Sequence, residues 1–471
     1  MKKFVLILII FLPVFIYGQQ WYAMDAGVTN TVGDCDVGCI INFQNKLIIS
    51  GHFKTSGSTI INSVAQWDGV HWQPMGLGIW DENTSDLTGL AGRLIIYKSK
   101  LFCGGFFPGA GGSFINDATH YANSIAYWNG LDWNPISPGP MPSGVNGNTA
   151  GLGIYNDHLY MGGVFNHNFD TSGLRTANGL AEWNDTVFLP SPASLSGSIS
   201  IGFSSPLDFT VHNNKLIMGG EFTSINGSPS GSFSGIAAWN DTNWTVLGSG
   251  FNRPVASLVV YNGELYAGGE FTATGDNLTT LHYVAKWDGL QWLQVGEGLN
   301  DSVFKLYVDT LQNKLYAGGT FTQTGLGVPA RHIAEWTGTN WQEVGGGTNG
   351  IVGAIYSKDS NLYIGGYFTQ VGNGISANHI ACWGPSPLGV NEIDDRRYAR
   401  LYPNPATNEV KLESKMQNAE IVIRDVLGQM VYSAKAIAAS STIDVSMLSK
   451  GVYFISLQNG KQTINKKLVK E

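Results

Sequence analysis

From residue 21 to residue 383 the chain repeats one arrangement of apolar and polar positions. Its centre reads aliphatic-x-x-Gly-Gly-x-Phe, seen at Leu159–Phe165, Leu216–Phe222, Leu265–Phe271, Leu315–Phe321 and Leu362–Phe368. Two earlier copies are looser: Leu101–Phe107 has Cys103 before its glycines, and Leu47–Phe53 has Ser50 at the first glycine. The phenylalanines at 53, 107, 165, 222, 271, 321 and 368 fall about 52 residues apart. This period suits a propeller blade of four strands and is too long for a leucine-rich or ankyrin unit.

A second landmark, small-x-Trp, follows each copy at Trp67, Trp128, Trp183, Trp239, Trp287, Trp336 and Trp383. An Asn/Asp-Gly type turn comes next, as in Trp287-Asp288-Gly289, and then an aromatic residue at Trp72, Trp133, Phe188, Trp244, Trp292 or Trp341. Strand-like runs joined by Asp-Gly or Asn-Gly predict tight hairpins with both central residues at positive φ. An alternating run upstream, such as Val255, Leu258 and Val260, brings each repeat to four strands. The seventh repeat lacks its last strand, and Trp21–Gly27 matches the pattern of Trp72–Gly78 that would supply it. The expected fold is therefore all-β: a seven-bladed β-propeller closed by an N-terminal strand, followed by a small C-terminal β-sandwich.

Paired glycines let backbones approach closely, while tryptophan and phenylalanine fill the wedge between blades. The pattern resembles the kelch type of propeller, whose repeats carry a double glycine followed by a spaced aromatic. It departs in spacing and in its second tryptophan, so the resemblance, over residues 21–383, implies the fold alone.

A different composition begins near Arg400. Alternating runs at Ile421–Val431 and Ile443–Phe454, with turns at Leu427–Gln429 and Lys450-Gly451, predict the sandwich. Pro403-Asn404-Pro405, Gly428, Gly451-Val452-Tyr453 and the terminal Lys466-Lys467-Leu468-Val469-Lys470 stand in one order across about 70 residues. On those motifs the tail resembles the type A C-terminal sorting domain of the type IX secretion system of Bacteroidetes. The resemblance implies export across the inner membrane, recognition of the tail by outer-membrane machinery and its removal by cleavage within 384–399. It often implies attachment of the body to anionic lipopolysaccharide at the cell surface.

The N-terminus fits export. Lys2 and Lys3 precede an uncharged apolar run, Phe4–Tyr17, too short to span a bilayer, and Gly18 closes a signal peptide at residues 1–18. The domains expected are thus a signal peptide (1–18), the propeller (19–383), a linker (384–399) and the sorting domain (400–471), with no integral membrane segment after signal cleavage.

Composition excludes other classes. Glycine supplies 61 of 471 residues, charged residues 13% and hydrophobic residues 43%, which disfavours helical bundles and disorder. Residues 400–471 carry net charge +4 and residues 19–397 carry −14; an acidic body speaks against a nucleic-acid partner. Cys35, Cys39, Cys103 and Cys382 are too few for a disulfide scaffold, and Cys35 and Cys39 could pair only through a turn. Asp34 and Asp36 beside them complete no ligand spacing, so no metal and no cofactor are expected.

No nucleophile elbow, His-Glu-x-x-His pattern or phosphate loop is present, and no catalytic residue is assigned. His332 and His379 sit four residues before their tryptophans, with His282 nearly equivalent, a repeat preference of structural kind. Glu221 and Glu270, equivalent to His52, Thr320 and Tyr367, suit a solvated strand position. The long loops of the second and third repeats offer a candidate binding surface: His120, Tyr121, His167, Asp170 and Arg175. The function expected is a noncatalytic, exported binding module whose partners are the type IX machinery and an extracellular polysaccharide or protein. The alternative is a propeller enzyme acting on polysaccharide, a lyase or glycoside hydrolase.

Overall fold

The computed structural model describes residues 19–31, 34–83, 88–112, 120–137, 143–199, 204–385, 399–414, 419–425, 429–436, 440–459 and 462–471. The expected signal peptide, Gly428, and most of the 384–399 linker lie outside the described residues. Those residues are all-β, with no α-helix among them. The chain divides into two compact units, Met1–Pro385 and Ser386–Glu471.

The first unit repeats one antiparallel sheet. In the sixth example, Val303–Asp309, Lys314–Gly319, Ile333–Trp336 and Trp341–Glu343 pair in that order. The double-glycine strand is buried on both faces, so its side chains read as a continuous apolar run rather than an alternation. The first sheet (Asp36–Phe43, Lys46–His52, Val64–Trp67, Trp72–Pro74) and the second (Leu90–Tyr97, Lys100–Phe106, Ile125–Trp128, Trp133–Pro135) follow the same plan. So do the fourth (Ser205–His212, Lys215–Glu221, Ile236–Trp239, Trp244–Thr245) and the fifth (Val255–Tyr261, Glu264–Gly269, Val284–Trp287, Trp292–Gln294). The third has Asn148–Tyr155, His158–Val164 and Leu180–Trp183, with Phe188 bridged to Trp183. The seventh comprises Ile351–Lys358, Asn361–Tyr367 and Ile380–Pro385, and its outer strand is Gln19–Ala23.

That last pairing puts Trp21 opposite Trp383, ring centroids 5.2 Å apart. Trp336 and Trp341 lie opposite each other at 5.3 Å in the sixth sheet. The Trp21 indole N–H donates to the Gly345 carbonyl of the sixth sheet at 2.9 Å, as Trp292 does to Leu247 and Trp341 to Val295. One residue type thus stacks within its own sheet and latches onto the sheet before it.

The two glycines of the motif do different work. A Cβ on the first would meet the next sheet's inner strand: Val352 Cγ1 at 2.8 Å from Gly318, and Val37 Cγ1 at 2.5 Å from Gly365. A Cβ on the second would meet a backbone carbonyl of its own sheet, Ile351 O at 2.1 Å from Gly366, because the inner strand carries a bulge there. Ser50 departs from the first-glycine rule, and the second sheet has the small Ala91 where its equivalents are Val37, Thr149, Pro206, Val255, Val303 and Val352. Both Ser50 and Ala91 are fully buried. A larger residue on one side is offset by a smaller one on the other.

The second glycine's N–H bonds to the carbonyl of a residue in the left-handed region: His332 for Gly319 and His379 for Gly366. Tyr283, at φ 65°, fills this place in the fifth sheet, so the equivalent of the two histidines is Tyr283 and not His282. The Asp-Gly and Asn-Gly turns also differ from expectation. Trp67 pairs with Trp72, leaving four residues in the turn; only Gly69 has positive φ. The Asp68 carboxylate instead accepts the Val70 and His71 amides at 2.8 and 2.7 Å. Two-residue turns with both positions at positive φ instead join the first two strands of a sheet, at Gln44-Asn45, Lys98-Ser99 and Asn156-Asp157.

The second unit has two sheets: Ala399–Tyr402, Glu409–Ser414 and Ser440–Asp444, and Met430–Ala436, Ala419–Arg424, Gly451–Asn459 and Gln462–Lys470. Val410, Leu412 and Ile443 of one pack with Ile421, Ile423, Ile455, Leu457 and Leu468 of the other in a single core.

Candidate functional site

The five loop residues expected to bind divide into separate local networks. The Tyr121 ring packs edge-on against buried Trp80 at 5.7 Å, and its hydroxyl donates to the Glu82 carboxylate at 3.0 Å. His120, half-buried, directly precedes it. His167 begins the strand His167–Asp170, which pairs with Gly173–Thr176, and its Nδ1 lies 2.6 Å from Asn166 Oδ1.

Asp170 is the linchpin of that hairpin. Its fully buried carboxylate accepts the Phe188 amide at 2.6 Å, the Ser172 amide at 2.7 Å, the Ser172 hydroxyl and the Arg175 guanidinium at 3.0 Å. Burial alone would raise its pKa, but these donors together hold it below the ordinary carboxylate value. Asp170 and Arg175 are therefore engaged with each other and with the fold.

Of the two glutamates read as solvated, Glu270 is exposed but Glu221 is not: it is 1% exposed and accepts the Ser198 hydroxyl at 2.5 Å. Ser198 lies in a loop outside the repeat, so the repeat pattern alone does not show this partner.

A different place gathers unengaged chemistry. Where the seventh sheet meets the first, a cleft of about 480 Å³ is lined by Thr29, Asn30, Asp34, Cys35, Tyr367 and His379, together with Asn349, Thr369 and Asn378. That volume suits a small ligand. Tyr367, 49% exposed, donates its hydroxyl to Asp34 Oδ1 at 3.2 Å. The Asn30 amide donates to the Asp34 carbonyl at 3.0 Å, and Asn30 Oδ1 is a buried acceptor with no partner.

Asp36 stands behind the cleft, opposite His52, and accepts the His52 backbone N–H at 3.1 Å. Burial raises its pKa, against the lowering influence of that bond and of His52 and His379. Burial and the neighbouring Asp36 push the Cys35 thiol up to about 12, so it is an inert thiol. All four cysteines are unpaired. His379 Nδ1 donates to the Gly366 carbonyl at 3.1 Å, and burial lowers its pKa despite that bond. The ring is thus neutral at pH 7, with Nε2 as an acceptor. In the sequence Asp34 and Cys35 belong to a stretch that completes no metal-ligand spacing, while Tyr367 and His379 stand at repeat positions, so nothing there brings the four together. A smaller hollow of about 250 Å³ lies at Glu297, Thr324 and Trp341.

In the tail, Asn404 joins most of the motif. Its amide donates to the Lys467 carbonyl at 2.6 Å and its Oδ1 accepts the Val469 N–H at 2.8 Å, tying Pro403-Asn404-Pro405 to the last strand. Gly451 pairs with Lys470, Tyr453 with Leu468 and Ile455 with Lys466. The Tyr453 hydroxyl donates to the Ser449 carbonyl at 2.8 Å. Gly428 apart, these motifs meet at the last strand, Gln462–Lys470.

Comparison with known proteins follows this division. No curated protein matches the sequence. The chain is similar to the extracellular domain of a putative one-component system from B. thetaiotaomicron, at 11% identity and TM-score 0.47, over 96% of this chain and 58% of that one. It is thus matched to little more than half the length of that relative. The WD40 β-propeller domain of Doa1 is similar at 14% identity and TM-score 0.42, over 77% of this chain and 96% of that one. PorZ, a surface component of the type IX secretion system of Porphyromonas gingivalis, is similar at 12% identity and TM-score 0.28, over 90% and 69%. Residues 400–471 match the family described as the secretion system C-terminal sorting domain. The tail is a type IX sorting domain, and the protein is delivered through the periplasm to the cell surface or beyond.

Proposed function

We propose that the body is a seven-bladed, kelch-like β-propeller closed by Gln19–Ala23, and that it acts outside the cell as a noncatalytic binding module. The closure reading is supported by the Trp21–Trp383 pair and by the inner strands: each packs against the next sheet's, and Ile351–Lys358 packs against Asp36–Phe43. The observation that carries the binding reading is the cleft beside Asp34 and Tyr367, where the exposed Asp34 carboxylate and the half-exposed Tyr367 ring line an open space. The repeated landmarks are consumed by packing, which leaves recognition to residues that break the repeat.

The test is a binding and turnover screen of the purified protein against extracellular polysaccharides and surface proteins. Retention without product formation is the expected result, and product release contradicts the noncatalytic reading. A second reading, an enzyme acting on polysaccharide, is favoured by one observation: Asp36 is a carboxyl of raised pKa with Asp34 two residues away and two histidines beside it. In that case Asp36→Asn abolishes the product released in the same screen.

A further inference from the structure

The hydrogen-bonding inventory of the cleft is one-sided. Its side-chain amide, phenol and imidazole donors are engaged within the protein: Asn30 to Asp34 O, Asn349 to Thr369 Oγ1, Asn378 to Ala26 O, Tyr367 to Asp34 and His379 to Gly366 O. Asn349 Oδ1 is engaged as well, by the Thr369 and Gln370 amides, but three other acceptors are not. Asn30 Oδ1 has no partner, neutral His379 keeps an Nε2 lone pair, and Asp34 has a second carboxylate oxygen beyond the one that Tyr367 uses.

Charge points the same way. Among the described lining residues there is no Lys or Arg, Asp34 is exposed at the mouth, and Asp36 lies behind His379. The half-exposed Tyr367 ring adds a π face of the kind that attracts cations. No three His, Cys, Asp or Glu among the described residues are grouped to hold a metal ion. A wall of acceptors, negative and short of donors, is complementary to a group bearing several N–H donors and a positive charge.

We infer that the cleft between the first and seventh sheets binds a primary ammonium group, with the exposed Asp34 carboxylate as its counter-ion and the half-exposed Tyr367 ring beside it. This rests on the binding-module reading and names the ligand chemistry of that module. An amino sugar with a free amine and a lysine side chain both present this group.

The experiment uses the full chain and calorimetric titration with glucosamine, N-acetylglucosamine and Nα-acetyl-lysine amide. Glucosamine is expected to bind roughly tenfold more tightly than its N-acetylated form, since only the free amine makes the charge-assisted hydrogen bond to Asp34. Asp34→Asn is expected to remove that preference, Tyr367→Leu to weaken it, and Asp301→Asn, a remote exposed carboxylate, to leave it unchanged. The lysine amide separates the two sources: binding equal to that of glucosamine assigns the site to the ammonium alone, and weaker binding assigns it to the amino sugar. Equal affinity for both sugars, or an Asp34→Asn protein that is folded by its thermal melt and keeps the preference, overturns the inference. A protein that retains a polysaccharide yet shows no amine preference also overturns it while leaving the binding-module reading standing. Amine preference without retention of any polymer overturns that broader reading alone.

Discussion

The joint between the fifth and sixth sheets and the joint between the seventh and first use the same architecture and end in different chemistry. At the former, Gly268 abuts Val303, the Trp341 indole donates to Val295 O, and Asn300 Oδ1 accepts the Thr322 and Gln323 amides at 2.9 and 3.0 Å. At the latter, Gly365 abuts Val37 in the same way, but Thr29 stands where Asn300 would be. The Lys54 and Thr55 amides there both turn to the Thr29 carbonyl, and the buried Trp72 indole N–H has no partner. The glycine contact that sets sheet spacing is kept, while the polar cap above it is rewritten. A cleft with an unengaged acceptor opens where the repeat is broken.

The largest expected effect probes whether the N-terminal strand is a structural member like any other. Trp21→Ala and Trp341→Ala should each cost about 3–5 kcal/mol in urea unfolding, as buried tryptophans that stack and latch. A much smaller cost at Trp21 would break the equivalence of the seventh sheet with the sixth.

A carboxylate whose acceptors are all engaged provides the contrast to Asp34. Asp170→Asn should destabilise the protein by about 2 kcal/mol at neutral pH, through loss of charge-assisted bonds to Arg175 and two amides. Because the folded carboxyl lies below its ordinary value, this stabilisation is present above about pH 4 and is lost as pH falls through the folded value. Denaturation curves of the two proteins should therefore converge in acid. A gap that persists or widens there would mean the carboxylate's charge is not the source.

The smallest effect separates the two caps. Asn300→Ala should cost about 1–2 kcal/mol, since two amides lose their acceptor, whereas Thr29→Ala should cost less than about 0.5 kcal/mol because its carbonyl remains. Equal costs in paired thermal melts would show the caps to be the same device.

The architecture was legible in the sequence because it repeats. Seven phenylalanines, paired aromatics and the match of Trp21 to Trp72 located each sheet and the strand completing the last one. The turn after each tryptophan was misjudged, since Asp-Gly fits a two-residue hairpin as well as the four-residue turn in which Asp68 caps two amides. Asn146, Asn252, Asn300 and Asn349 also repeat and share the capping role. Asn252, Asn300 and Asn349 each stand eight residues after the outer-strand tryptophan, but Trp80 and Thr29 take that place after Trp72 and Trp21, so a motif built on glycine and aromatics does not include them. Glu221 looked solvated because its partner Ser198 comes from an irregular loop. The cleft was illegible for a deeper reason: Asp34 and Tyr367 bond across 333 positions, and neither has a counterpart of its type in every sheet. In the tail the motifs were visible, but the role of Asn404 as the tie between the first motif and the last strand required the fold.

The proposed closure rests on the pairing of Gln19–Ala23 with Ile380–Pro385, and amide hydrogen exchange of the native protein tests that pairing most directly. The account predicts that Trp21, Tyr22 and Ala23 exchange as slowly as Trp341, Gln342 and Glu343, the same outer position one sheet earlier. Exchange at the rate of an unstructured terminus would contradict it.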